Sequence, residues 1–226
     1  MASWMIHLRI ADRLLPSFRE IDETAFVIGN IAPDSGVPNE DETAYFPPKT
    51  VSHFQRKTES GSRLDTEAFQ ARYFTAEVIR GYDLRKYSFF LGYYVHLLTD
   101  IRWSGTIIQA LKQDYPEEYM QDKNGLVRKA KEDWYDLDFL YLKEHPDFNA
   151  FSLYESAEHF DNDLMDLFSR DAFEDRRQFI CSFYRSEEHG DLYREYRYLT
   201  KDQADRFVLE TSEWILEKCD IPEWKS

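Results

Sequence analysis

Cysteine is scarce in this chain: two in 226 residues, Cys181 and Cys219, far apart and in no CxxC pair. Such spacing offers neither a disulfide framework nor a thiolate metal site, and it fits a reducing compartment. Glycine and proline number only eight each and are scattered, which excludes collagen-like and low-complexity chains. No apolar run approaches the roughly 18–20 residues that span a bilayer. The greasiest stretch, 87–103, is interrupted by His96, Asp100 and Arg102, so no integral membrane association is expected. The first residues lack a basic segment followed by an apolar core and a small-residue cleavage site, so no signal peptide is expected and the chain reads as cytoplasmic. Positive charge is also short: 28 Lys and Arg against 43 Asp and Glu leave a net charge of −15. That field gives no broad footprint for nucleic acid or anionic lipid, although a bound cation can still receive an anionic substrate locally. Glycine-rich phosphate loops, GxSxG, HExxH, RNP and zinc-finger spacings are all missing, and none of the six histidines is followed by Asp.

Aromatic side chains are plentiful, with 17 Phe, 15 Tyr and 5 Trp, a core supply that excludes disorder. The length suits one domain over 1–226, able to bury about 70–75% of its unfolded surface without disulfides. Ile6, Ile10 and Leu14 mark a first helix stopped by Pro16. Ser17 with Glu20 has capping-box spacing for a second helix that carries Ile21, Ala25 and Ile28 and stops at Gly29-Asn30. Periodicity vanishes from about 31 to 63, where four prolines punctuate a long irregular loop; loops of that length in compact domains are usually functional or disordered. Helical pattern resumes over 66–80, 85–103, 106–113, 126–143, 156–168, 172–184 and 201–219, the last opened by Thr200 and Gln203 in capping-box spacing. Sustained alternation of period two is absent. The expectation is an all-α, single-domain bundle of eight or nine helices.

The chemically useful groups left over are nitrogen and oxygen donors: His7 in the first helix, Asp34 and His53 at the two ends of the loop, and His96 with Asp100 four residues apart on one helical face. Six histidines and 43 acids in 226 residues yield about one such spaced pair by chance, and His159–Asp163 is a second. Context separates them. His159–Asp163 sits among polar neighbours, whereas His96–Asp100 sits in FFLGYYVHLLTDIRW, where burying a carboxylate is costly unless it is paired or bound to a cation. A buried His–Asp hydrogen bond without function, a core histidine at position 7, and plain loop roles for Asp34 and His53 are the competing readings. His145 before Pro146 and His189 beside acidic neighbours are set aside as ligands.

Taken in order, WxxHxxIA, GNIAPDSG, SHF and LGYYVHLLTDIRW, between residues 4 and 103, resemble the zinc-dependent phospholipase C family. Its relatives include single-strand-specific zinc nucleases of the P1 type and the catalytic part of glycosylphosphatidylinositol-specific phospholipase D. The resemblance implies an all-α fold of the phospholipase C and P1 nuclease type and hydrolysis of phosphoric esters. It also implies that Asp34, His53, His96 and Asp100 hold one metal, and that His7 joins a second bridged by Asp100. Asp34 is then also the candidate general base. Two departures bear on metal number. Trp4 follows Met-Ala-Ser, so the free terminal Trp that ligates metal in secreted relatives has no counterpart. The further His and HxxxE of a third site are missing too, since no histidine follows Asp100 until His145. One or two ions are therefore expected, zinc or another divalent transition metal such as Mn²⁺, Fe²⁺ or Ni²⁺.

The resulting expectation is a metal-dependent hydrolase of a phosphodiester or phosphomonoester, acting through metal-bound hydroxide on a small soluble substrate. Arg102 and Arg56 are candidate phosphate contacts. The rival is a non-catalytic helical binding or scaffold protein with a structural or vestigial metal site. The sequence does not fix the oligomeric state.

Overall fold

A computed structural model describes residues 1–39, 44–59, 61–186 and 188–218; Cys219 lies outside them. Eleven α-helices are present among the described residues. α1 (Trp4–Leu14) opens at Ser3, whose Oγ accepts from the Ile6 N–H at 3.4 Å, and runs into a 3₁₀ turn (Leu15–Ser17) containing Pro16. Between residues 18 and 22 the chain is not helical. α2 (Glu23–Ile31) starts five residues later than the Ser17 capping box predicts, because the Asp22 carboxylate caps it through the Ala25 N–H at 2.9 Å.

Nor does α2 end at Gly29-Asn30. Gly29 is used for close approach instead of termination: it faces the backbone of α6 (Leu84–Gly105), the long central helix. A methyl at Gly29 would collide with the Phe89 carbonyl oxygen and lie 2.9 Å from the Phe89 Cα. From the other side, a methyl at Gly92 would collide with the Phe26 carbonyl oxygen and sit 2.8 Å from the Asn30 nitrogen. The reciprocal pair lets α2 and α6 touch backbone to backbone. Gly92→Ala must push the helices apart against backbone that cannot yield, so we expect a loss of about 3 kcal/mol or more. For a chain of this size that lowers the thermal midpoint by roughly 6–12 °C. Gly105→Ala is the control, since nothing lies within 4 Å of the added methyl; equal midpoints for the two variants would refute the close-approach reading.

The 31–63 region is less irregular than its composition suggests. After a 3₁₀ turn (Ala32–Asp34) come two antiparallel two-residue strands, β1 (Val37–Pro38) and β2 (Tyr45–Phe46), then a short α3 (Lys49–Ser52). A hairpin follows, β3 (Gln55–Thr58) with β4 (Gly61–Leu64), in which Gln55 faces Leu64. These ribbons do not alter the all-α class.

The helix expected over 66–80 is broken into α4 (Thr66–Tyr73) and α5 (Ala76–Arg80), because the Thr75 hydroxyl caps the Val78 N–H at 3.3 Å and starts a new turn. Next come α7 (Ile107–Asp114) and α8 (Pro116–Glu144), which is kinked at Asp122 and extends ten residues further back than expected, with Asn124-Gly125 inside it. α9 (Asn149–Ser156) precedes a stretch that the sequence led us to expect as helix over 156–168. Instead the chain there is non-helical: the Asn162 side chain donates to the carbonyls of Met165 and Phe168 at 2.7 and 2.9 Å and accepts from the Met165 N–H at 3.0 Å, taking the groups a helix would need. α10 (Ala172–Arg185) and α11 (Lys201–Lys218) complete the order, the latter with the predicted reciprocal cap: Thr200 N–H donates to Gln203 Oε1 at 2.8 Å and Gln203 N–H to Thr200 Oγ1 at 3.3 Å.

Most of α6 is buried, and Tyr93, Phe89, Phe90 and Trp103 with Phe26 of α2 and Met5, Leu8 and Ile10 of α1 fill the core around it. α1, α2 and α6 thus form a rigid frame, and His7, Asn30 and His96 belong to it.

Candidate metal centre

The five donors singled out in the sequence converge on one buried point. His7 comes from α1, Asp34 from the end of the 3₁₀ turn after α2, His53 from the residue that closes α3, and His96 and Asp100 from successive turns of α6. The three imidazoles are fully buried, and Asp100 is 1% exposed.

His53 sits near three other donor atoms. His53 Nε2 lies 3.4 Å from Asp34 Oδ1, 3.3 Å from His96 Nε2 and 3.7 Å from Asp100 Oδ2, and His96 Nε2 lies 3.6 Å from Asp100 Oδ2. Most of these separations are long for hydrogen bonds and short for atoms that ignore one another. Ligands at 2.0–2.2 Å from a tetrahedral ion stand about 3.3–3.6 Å apart, close to these four separations. The other carboxylate oxygen of Asp100, Oδ1, faces His7 Nε2 at 3.6 Å and accepts the Ala2 N–H at 2.9 Å. Asp100 therefore presents Oδ2 to His53 and His96 and Oδ1 to His7, with the His7 ring stacked on His96 at 3.8 Å; the donors fall into two overlapping groups, Asp34–His53–His96 and His7–His96–Asp100.

Surrounding hydrogen bonds aim the donors inward. His96 Nδ1 stands 2.8 Å from the Asn30 carbonyl oxygen, which can only accept, so Nδ1 carries the proton and Nε2 presents a lone pair. His53 Nδ1 is 2.9 Å from the Ser52 hydroxyl, and the Ser52 carbonyl in turn accepts from the Tyr93 hydroxyl. Burial, with His7 adjacent, pushes the His96 imidazole down to about 3 against the opposing pull of Asp100 and Asp34, which keeps it neutral. Burial works to raise the Asp34 and Asp100 carboxyls, but the adjacent imidazoles, His53 beside Asp34 and His7 beside Asp100, together with nearby positive charge outweigh it and hold both below the carboxylate range. Two buried carboxylates thus lie beside the neutral His96 imidazole.

This donor set fits a divalent cation. His7 Nε2, Asp34 Oδ1 and Asp100 Oδ2 are buried with no hydrogen-bond partner among the described residues, an arrangement that costs several kcal/mol unless a cation satisfies it. Mixed nitrogen and oxygen ligation without thiolate suits zinc.

Asp34 is the member of the cluster that reaches the outside. It lines a cleft of about 90 Å³ together with Trp4, Tyr45, Lys49, Lys131 and Arg176. Lys49 Nζ is 3.9 Å from Asp34 Oδ1. Arg176 donates to the Gly36 carbonyl at 2.7 Å, and its Nε has no partner among the described residues. Burial and Lys49 draw the Lys131 ammonium below its ordinary value, with Asp34 pulling the other way.

The arginines proposed from sequence are elsewhere. Arg56 pairs with Asp65 at 3.5 Å on the rim of a separate open groove beside α3, and Arg102 lies over the Trp214 ring at 5.2 Å. Neither lines the cleft; Lys49, Lys131 and Arg176 do. His159 has a positive φ of 62° outside any helix, and Asp163 is bonded to Arg85 at 2.7 Å, so that pair never shares a helical face. His145 and His189 stack on Tyr141 and near Phe139 and are not part of the cluster.

No curated protein and no solved structure matches the chain. A family match covers residues 6–103, from the residue before His7 to the third residue after Asp100, and so contains all five donors. Over that segment, a little under half of the chain, the sequence is similar to the zinc dependent phospholipase C family.

Proposed function

We propose that the protein is a zinc-dependent hydrolase of phosphoric esters, with Asp34, His53, His96 and Asp100 holding one ion and His7 with Asp100 supporting a second. The observation that carries this reading is the set of buried donor atoms 3.3–3.6 Å apart, joined to solvent through Asp34. Zinc at such a site supplies Lewis acidity and a nucleophile at neutral pH. The protein's own contributions follow from the geometry. Asn30 and Ser52 fix the imidazole orientations, and Asp100 ties α6 to the N-terminal segment through the Ala2 N–H. Asp34, at the boundary between cluster and cleft, is placed to take up the proton released when water attacks phosphorus.

A closed, purely structural site is the second reading, because four protein donors can complete a tetrahedron. The opening of the cleft at Asp34 favours catalysis, since a structural ion needs no access. Protein freed of metal and reloaded with zinc should bind one or two equivalents and cleave 4-nitrophenyl phosphate or bis(4-nitrophenyl) phosphate. Chelation should remove that activity, and zinc restore it. Zinc bound without turnover of either ester would favour the structural reading.

A further inference from the structure

The chain carries a net charge of −15, yet the side chains lining the cleft above the cluster include, among the described residues, three cations and one carboxylate, Lys49, Lys131 and Arg176 against Asp34, with the Met1 amino end also on the lining. These cations come from three separate elements, α3, α8 and α10. Two of them hold donors in reserve. Lys131 makes no hydrogen bond or ion pair with any described residue, and Arg176 is anchored through one nitrogen to the Gly36 carbonyl while its Nε has no partner. Lys49 stands 3.9 Å from Asp34, too far for a hydrogen bond and free to turn toward another anion. Aromatic rings hold the frame: Arg176 lies 5.9 Å over Trp4 and 5.3 Å over Phe179, and Lys49 5.5 Å over Tyr45. The cleft, with a volume of about 90 Å³, has room for a phosphoryl group.

We infer that Lys131 and Arg176, with Lys49, are specificity-determining residues that select a doubly charged phosphomonoester head over the singly charged phosphate of a diester. The inference rests on the hydrolase reading above and names its substrate class. Physical reasoning gives the sign. Each cation's attraction scales with the charge on the anion, so a dianion gains about twice what a monoanion gains from the same side chain. A charge-assisted hydrogen bond from Lys131 worth about tenfold in affinity to the dianion is then worth about threefold to the monoanion.

The test uses the full-length zinc-loaded protein at pH 8 and titration calorimetry with inorganic phosphate as the dianion and dimethyl phosphate as the permanent monoanion. Wild type should bind phosphate at least tenfold more tightly. Lys131→Gln should weaken phosphate about tenfold and dimethyl phosphate about threefold, and Lys131→Arg should restore most of the difference. Arg176→Gln should shift the ratio the same way; because it also loses the Gly36 contact, its folding is checked by thermal midpoint, and Lys131→Gln decides if it fails. Dimethyl phosphate binding as tightly as phosphate, or Lys131→Gln weakening both ligands equally or neither, would overturn the inference. Because binding is read without turnover, such a result leaves the hydrolase reading standing, while loss of that reading appears as absent cleavage of both nitrophenyl esters.

Discussion

Asp100→Ala is expected to abolish zinc-dependent stabilisation, whereas Asp163→Ala is expected to leave it intact. Asp100 faces His53 and His96 with one oxygen and His7 with the other, so its removal takes an oxygen from both sides at once. Loss of a partner merely outside the ligand shell typically costs 10–100-fold in metal affinity, and loss of a bridging ligand should cost at least about a hundredfold. In wild type, zinc at about a thousand times its dissociation constant adds about 4 kcal/mol. In a chain of this size that raises the thermal midpoint by roughly 8–16 °C. Asp163 is an exposed partner of Arg85, and surface pairs of that kind contribute at most about 1 kcal/mol. Differential scanning of metal-free and zinc-loaded forms of the three proteins measures both effects. Asp100→Ala retaining the full zinc shift would remove Asp100 from the proposed centre.

The donor set was legible because its local signals were strong. His96 and Asp100 sit one turn apart in a helix whose other positions are apolar, so their polarity had to be explained. Asp34 and His53 bracket a loop too long to be a mere connector. Short capping patterns were uneven guides: Thr200–Gln203 forms the reciprocal cap, while Ser17–Glu20 loses to Asp22, which sits next to the helix it caps. Gly29 shows the limit of local reading. A glycine near the end of an apolar stripe looks like a helix stop, and only the Phe89 backbone opposite it, 60 residues away, reveals close packing. That packing also sets the Asn30 carbonyl against His96, and no sequence pattern marks a carbonyl. Lys131 and Arg176 were invisible for a similar reason. Each sits on an amphipathic helix among many charged residues, and only the fold turns them toward Asp34.

A second large effect is expected at Asp138, whose carboxylate is 2% exposed between the Ser3 hydroxyl at 2.9 Å and the Tyr184 hydroxyl at 2.7 Å. Burial raises this carboxyl from 3.8 to about 7, against the lowering effect of the two hydroxyls and of Arg9. The folded protein therefore holds the Asp138 proton more tightly than the unfolded chain does. The linked stability is fully present below pH about 4, declines as pH rises toward 7, and is lost above it. A displacement of this size corresponds to a cost on the order of 4 kcal/mol at pH 8. Asn imitates the protonated acid: its oxygen can accept from one hydroxyl and its amide can donate to the other. Asp138→Asn should stand within about 1 kcal/mol of wild type in urea denaturation at pH 4.5 and exceed it by about 3–4 kcal/mol at pH 8, with the gap opening between pH 4 and 7. Metal-free protein is used for both, so that ligand protonation at the centre cancels in the difference. Parallel stability curves for the two proteins would show that Asp138 ionises in the native state without cost. Because Ser3 both caps α1 and donates to Asp138, the same comparison shows how firmly the turn preceding His7 is held at alkaline pH.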